Sequence, residues 1–126
     1  MTLEERYQHS YLLLQHWIEA LYLHHRVSEY FEEEGYYNIA IYGMGDLANR
    51  LMDDLKDSGI SVKYGIDQNA AGTVCKIEEI YSTDMELPEV DVIVVTPFYA
   101  FDDIYAVLRE KTIAPIISIE EVIWSL

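Results

Sequence analysis

The sequence predicts an α/β fold: a doubly wound parallel sheet preceded by a long N-terminal amphipathic helix or helix pair. Three observations predict it. Residues 2–34 carry apolar side chains at three- and four-residue spacing, as a helix requires. From Asn38 onward, short apolar runs alternate with helical periods, as parallel strands joined by helical crossovers do. The first of those runs ends in a glycine-rich turn, Gly43-Met44-Gly45-Asp46-Leu47-Ala48. Residues 1–35 are therefore expected to form a helical segment and residues 36–126 the sheet domain.

Thr2 and Glu5 have capping-box spacing, so each can satisfy a backbone N–H of the other. Leu3, Tyr7, Leu14, Trp17, Leu21 and Phe31 fall on one helix face, and Tyr11, Ile18 and Tyr22 widen it. A helix of about 30 residues is roughly 45 Å long, more than a small sheet can cover. Either it breaks, with His24-His25 as the candidate point, or part of its Tyr/Leu/Trp face packs on another chain as a homodimer helix. Gly35 supplies a stop. Glu32-Glu33-Glu34 oppose the helix dipole at that end, so they should be solvated or paired, or the helix should fray there.

Ile39–Tyr42 reads as the first strand, and Asp46–Ser58 as a helix with Leu47, Ala48, Leu51, Met52 and Leu55 inward and Gly59 as its stop. Ser61–Ile66 reads as the second strand. A short strand near Val74–Ile77 and a helical turn at Glu78–Tyr81 follow. Val92–Val95 is the clearest buried strand, closed by Thr96-Pro97. Phe101, Ile104, Tyr105 and Leu108 give the next helix its core face, Pro115–Ile119 is the last strand, and Glu120–Leu126 a closing helix.

With 23 acidic against 8 basic residues among 126, the net charge is −15. Such a field repels phosphate backbones, so nucleic acids and anionic membranes are poor partners. A single cysteine, Cys75, fits a reducing cytoplasm. The opening residues lack the pattern of a signal peptide, and Tyr11–Leu23 is too short and polar for a membrane span.

In a doubly wound sheet the ligand lies at the carboxyl ends of the strands, where strand order reverses. Gly43, Gly45 and Ala48 would give a tight turn, an open approach for a phosphate and close helix packing, with Met44 and Leu47 between them. The helix starting at Asp46 offers free N–H groups to an anion, although the Asp46 charge opposes one. Asp67, 24 residues after Gly43 and followed by Gln68, is placed to accept ribose hydroxyls, and no arginine follows to favour NADP over NAD. Thr96, Pro97, Phe98 and Tyr99 would form the opposite wall, with a ring to stack on a base. This is the setting of a Rossmann-like site. The plainer reading is that the glycines only shape a turn and Asp67 only begins a loop.

Asn38–Gly45, Val62–Asn69 and Val90–Thr96 resemble the Rossmann-like domain of bacterial polysaccharide-biosynthesis proteins. They are similar to the nucleotide-sugar-binding N-terminal domain of sugar acyltransferases and to domains attached to glycosyltransferases; the NAD domain of redox-sensing repressors is a more distant likeness. The resemblance spans about residues 38–123 and implies that Gly43, Gly45 and Asp67 contact a nucleotide. It carries over no catalysis, because the acyltransferase helix repeat and its catalytic histidine are missing.

Catalytic patterns are otherwise absent: no Tyr-x-x-x-Lys, GxSxG, HExxH or P-loop occurs. His9, His16, His24 and His25 lack a cysteine or paired acid for a metal and read as surface or interface residues. The expectation is a nucleotide- or nucleotide-sugar-binding module, with NAD or a UDP-sugar as possible ligand. Two alternatives stand beside it. One is an NAD-dependent oxidoreductase or redox-sensing domain completed by a partner chain. The other is a structural dimerising protein with a vestigial site.

Overall fold

The computed structural model describes residues 1–69, 77 and 79–126. Two helices, α1 (Leu3–Tyr22) and α2 (Val27–Glu34), lead into β1 (Asn38–Tyr42), α3 (Asp46–Leu55) and β2 (Ser61–Ile66). After β3 (Ile80–Tyr81) come β4 (Val92–Val95), α4 (Phe101–Arg109), β5 (Ile116–Ser118) and α5 (Ile119–Trp124). All five strands pair in parallel, in the order β3-β2-β1-β4-β5, so strand order reverses between β1 and β4.

Alternation along the strands builds a core on each face. Ile39, Ile41, Val92 and Val94 meet α1, α2, α3 and α5 through Leu13, Trp17, Phe31, Leu51 and Ile123. Ala40, Tyr42, Tyr64, Ile66, Ile93 and Val95 meet Ile104 and Leu108 of α4. Strands covered on both sides must be apolar throughout, which is why these runs were visible in the sequence.

The long first helix does break at His24-His25. His24 takes a left-handed φ of 66°, and α2 restarts at Val27. The Thr2–Glu5 capping box forms, and Gly35 ends α2 in the left-handed conformation. Glu32, Glu33 and Glu34 are exposed, as the dipole argument requires.

Three details depart from expectation. The buried face of α1 is centred on Leu13, Trp17 and Ala20, whereas Leu3, Tyr7, Tyr11, Ile18, Leu21 and Tyr22 face outward. Helix α3 ends at Leu55, short of Ser58, and Gly59 is not its cap. Its last carbonyls are taken instead by Arg26 and by the Ser58 hydroxyl, which donates to Leu55 O at 2.6 Å. Of the helical turn expected at Glu78–Tyr81, Glu78 lies outside the described residues, and Ile80–Tyr81 form β3 instead, because Gly65 N–H donates to Glu79 O at 2.9 Å and Asp67 N–H to Tyr81 O at 3.0 Å. The strand near Val74–Ile77 and Cys75 lie, apart from Ile77, outside the described residues. Among the described residues no helix is long and apolar enough to cross a membrane.

One buried polar cluster ties the helices together. The Trp17 indole donates to Asp54 Oδ2 at 2.7 Å, and Arg26 Nε reaches Asp54 O at 3.0 Å and Asp54 Oδ1 at 3.4 Å. Arg26 also donates to Lys56 O at 2.7 Å. Asp54 is buried, so removing its carboxylate strands an indole N–H and weakens the hold on a guanidinium. Asp54→Ala should cost about 2–4 kcal/mol in urea unfolding. A loss under about 0.5 kcal/mol would mean that the cluster does not brace α1.

Candidate functional site

The carboxyl edge of the sheet is shaped by how β1 leaves it. Gly43 has φ +91°, and a Cβ there would come 2.6 Å from Pro97 Cδ and 2.7 Å from Thr96 Oγ1. Only glycine meets both conditions. Thr96 closes the contact from the other side: its N–H donates to Tyr42 O at 3.0 Å, and its hydroxyl faces Tyr42 O and Gly43 O at 2.9 Å each. On the β2 side, Gly43 N–H donates to Ile66 O at 2.8 Å, and Met44 N–H to Asp67 Oδ2 at 3.0 Å. The other Asp67 oxygen accepts Asn69 N–H at 2.9 Å. Asp67 therefore ties the end of β2 to the turn, and so does more than begin a loop.

A cleft of about 410 Å³ opens above these strand ends. Gly43, Asp67, Gln68, Pro97 and Tyr99 line it together, joined by Tyr42, Ala100 and Asp103. The other sequence candidates lie elsewhere. Met44 turns its side chain into the core, where its sulfur would be 2.5 Å from any Cβ on Gly65. Thr96 and Phe98 are buried, and Leu47 packs partly on the core. Gly45 and Asp46 are exposed at the start of α3. Gly45 is extended there (φ −106°), and among the described residues no atom lies within 4 Å of where its Cβ would stand and no side chain caps the helix. That end of α3 presents N–H groups outward with the positive pole of its dipole.

Two carboxylates, Asp67 and Asp103, border the cleft and make it a place for hydroxyl groups rather than for a bare phosphate. Burial raises the Tyr42 phenol above its usual range, and the Asp67 charge raises it further, while a hydrogen bond with Gln68 acts the other way. Tyr42 is thus a neutral hydroxyl at ordinary pH, able to donate but not to act as a base.

Helix α1 also reaches this edge, which sequence periodicity gave no means to foresee. The Arg6 guanidinium lies 3.9 Å from the centroid of the Tyr99 ring, and its Nε is buried with no hydrogen-bond partner among the described residues. His9 stacks on Phe98 at 6.2 Å, with Nδ1 3.7 Å from Glu120 Oε1. His16 bonds Leu126 O at 3.1 Å and leans on Trp124. These two histidines serve the contact between α1 and the end of the chain, and no described group of histidines, cysteines and acids is arranged for a metal. Asp103 and Tyr42 were also missed: the first is one of two adjacent acids opening a helix, the second an ordinary strand tyrosine.

No family model, curated protein or solved structure matches the chain.

The two turn glycines should respond differently to substitution. Gly43→Ala should lose about 2–4 kcal/mol, from the left-handed backbone and the Pro97 contact together. Gly45→Ser, in open space at a position that welcomes a capping hydroxyl, should stay within about 1 kcal/mol of the parent. Thermal unfolding of both variants checks this, and equal losses would contradict the geometry of the turn.

Proposed function

We propose that the chain is a Rossmann-like nucleotide-binding module, without catalysis of its own, whose ligand is a nucleotide-sugar used in bacterial surface-polysaccharide synthesis. The observation that carries the reading is the cleft at the reversal of strand order, with Asp67 on one wall and Pro97 and Tyr99 on the other. Its volume falls in the range of roughly 300–1,000 Å³ that small-molecule sites occupy. A sugar or ribose would give its hydroxyls to Asp67 and Asp103, and the Tyr99 ring would take an apolar face of the ligand. A diphosphate would turn toward the uncapped start of α3 past Gly45, and Arg6 adds positive charge beside Tyr99 on the cleft. The sequence likeness of residues 38–123 to nucleotide-sugar domains supports the choice of ligand class and the link to polysaccharide synthesis.

One observation favours a second reading, an NAD-binding domain completed by a partner chain. An acid at the end of the second strand beside the glycine turn is where the adenosine ribose of NAD is held. A thermal-shift comparison of UDP, a UDP-hexose and NAD separates the two. At a hundredfold excess over Kd the favoured ligand adds about 2.7 kcal/mol, a rise of several degrees. Gly45→Val should fold and lose that rise, and Asp67→Asn should weaken binding about tenfold while keeping an acceptor for Met44 N–H. A rise with none of the three removes both readings; a rise that survives Gly45→Val removes the phosphate placement.

A further inference from the structure

Helix α1 has an apolar arc about twice as wide as the ~100° stripe of an ordinary surface helix. Leu13, Trp17 and Ala20 occupy the half turned to the sheet. The other half is a row formed by Leu3, Tyr7, Tyr11, half-buried Leu14, Ile18 and Tyr22, with Leu21 beside it. The three tyrosines of this row are 65–82% exposed, far more than a monomer surface needs. Two hollows run along it, one between Leu3, Tyr7 and Tyr11, the other between Leu14, Ile18, Leu21 and the edge of α3.

We propose that this row is the seam of a homodimer in which α1 pairs antiparallel with α1 of a second copy. The spacing of the row, 4, 4, 3, 4 and 4 residues, reads the same from either end. A two-fold axis between residues 12 and 13 therefore sets Leu3 against Tyr22, Tyr7 against Ile18 and Tyr11 against Leu14 of the second copy. Each pairing matches one tyrosine with one aliphatic side chain, so large and small alternate across the seam as a packed helix pair requires. An isologous interface of this kind needs a self-complementary patch, and the palindromic row is one.

Area and charge agree with that occupant. Aromatic side chains offer ~200 Å² each, so the row provides on the order of 700 Å², close to the ~800 Å² per partner of a standard interface. Arg26, Arg50 and Lys56 border the second hollow together with Asp53, Asp54 and Asp57, so acids and bases balance there. In a chain of net charge −15, that edge lets two copies approach with little repulsion.

Sedimentation equilibrium at micromolar concentration should give twice the chain mass for the parent and one chain mass for Tyr7→Lys and for Ile18→Glu. Both substitutions fall on exposed positions, so circular dichroism should show the parent fold, and Glu19→Lys on the polar face should remain dimeric. Mixing Tyr7→Lys with Ile18→Glu should restore the dimer, because antiparallel pairing sets the new lysine against the new glutamate. A monomeric parent overturns the proposal, whether or not the row then binds lipid vesicles or another protein. A dimer that survives both substitutions overturns it too, and failure of the mixture to recover overturns the antiparallel register.

Discussion

At Gly43 the backbone passes so close to Thr96 and Pro97 that one added carbon would meet the proline ring at 2.6 Å. The rest of the carboxyl edge follows from that approach. It presses the end of β1 against the end of β4, lets the Thr96 hydroxyl reach two carbonyls, and turns the chain so that Met44 N–H meets Asp67. The turn then releases α3 with its first N–H groups outward and leaves the cleft between β2 and the Pro97–Ala100 segment. The edge is thus held by the chain's own contacts, the Thr96 hydroxyl and the Asp67 carboxylate among them.

Helix α1 spans the same sheet from one edge to the other. Near its start, Arg6 and His9 cover Tyr99 and Phe98 at the carboxyl edge; near its end, Trp17 is bonded to Asp54 at the far end of α3. The buried carboxylate is costly to desolvate, and its cost is offset only because the indole and the guanidinium both meet it. That makes the docking of α1 specific in register, which an apolar arc of such width could not achieve alone. A slip by one residue would separate the indole from its acceptor.

How much of this was legible in the sequence differs by kind of signal. Strands buried on both faces announce themselves, and β1, β2, β4 and β5 were placed within a residue or two. That Gly43, Asp67, Gln68, Pro97 and Tyr99 come together was legible because they sit at strand ends, which topology brings to one cleft. Asp103, Tyr42 and Arg6 were not, since their placement depends on how helices rest on the sheet. Periodicity found the apolar arc of α1 and placed Trp17 and Phe31 in the core, but it also turned Leu3, Tyr7 and Leu21 inward, because spacing alone does not say which side of a broad arc meets the sheet. The two-residue strand β3 was read as helix because its pairing is set by partners on β2 rather than by its own residues. The stop of α3 was misread for a related reason: Arg26, a residue distant in sequence, takes the carbonyls that a glycine was expected to release.

The bond between Trp17 and Asp54 has an optical consequence. The chain holds two tryptophans, Trp17 at 2% exposure and Trp124 at 49%. An indole shielded from water emits at shorter wavelength than an exposed one, so the two report separately on the same molecule. Quenching by iodide should reach Trp124 first and Trp17 only when α1 lifts from the sheet. The brace that fixes the helix thus doubles as an intrinsic gauge of its detachment, readable without a label.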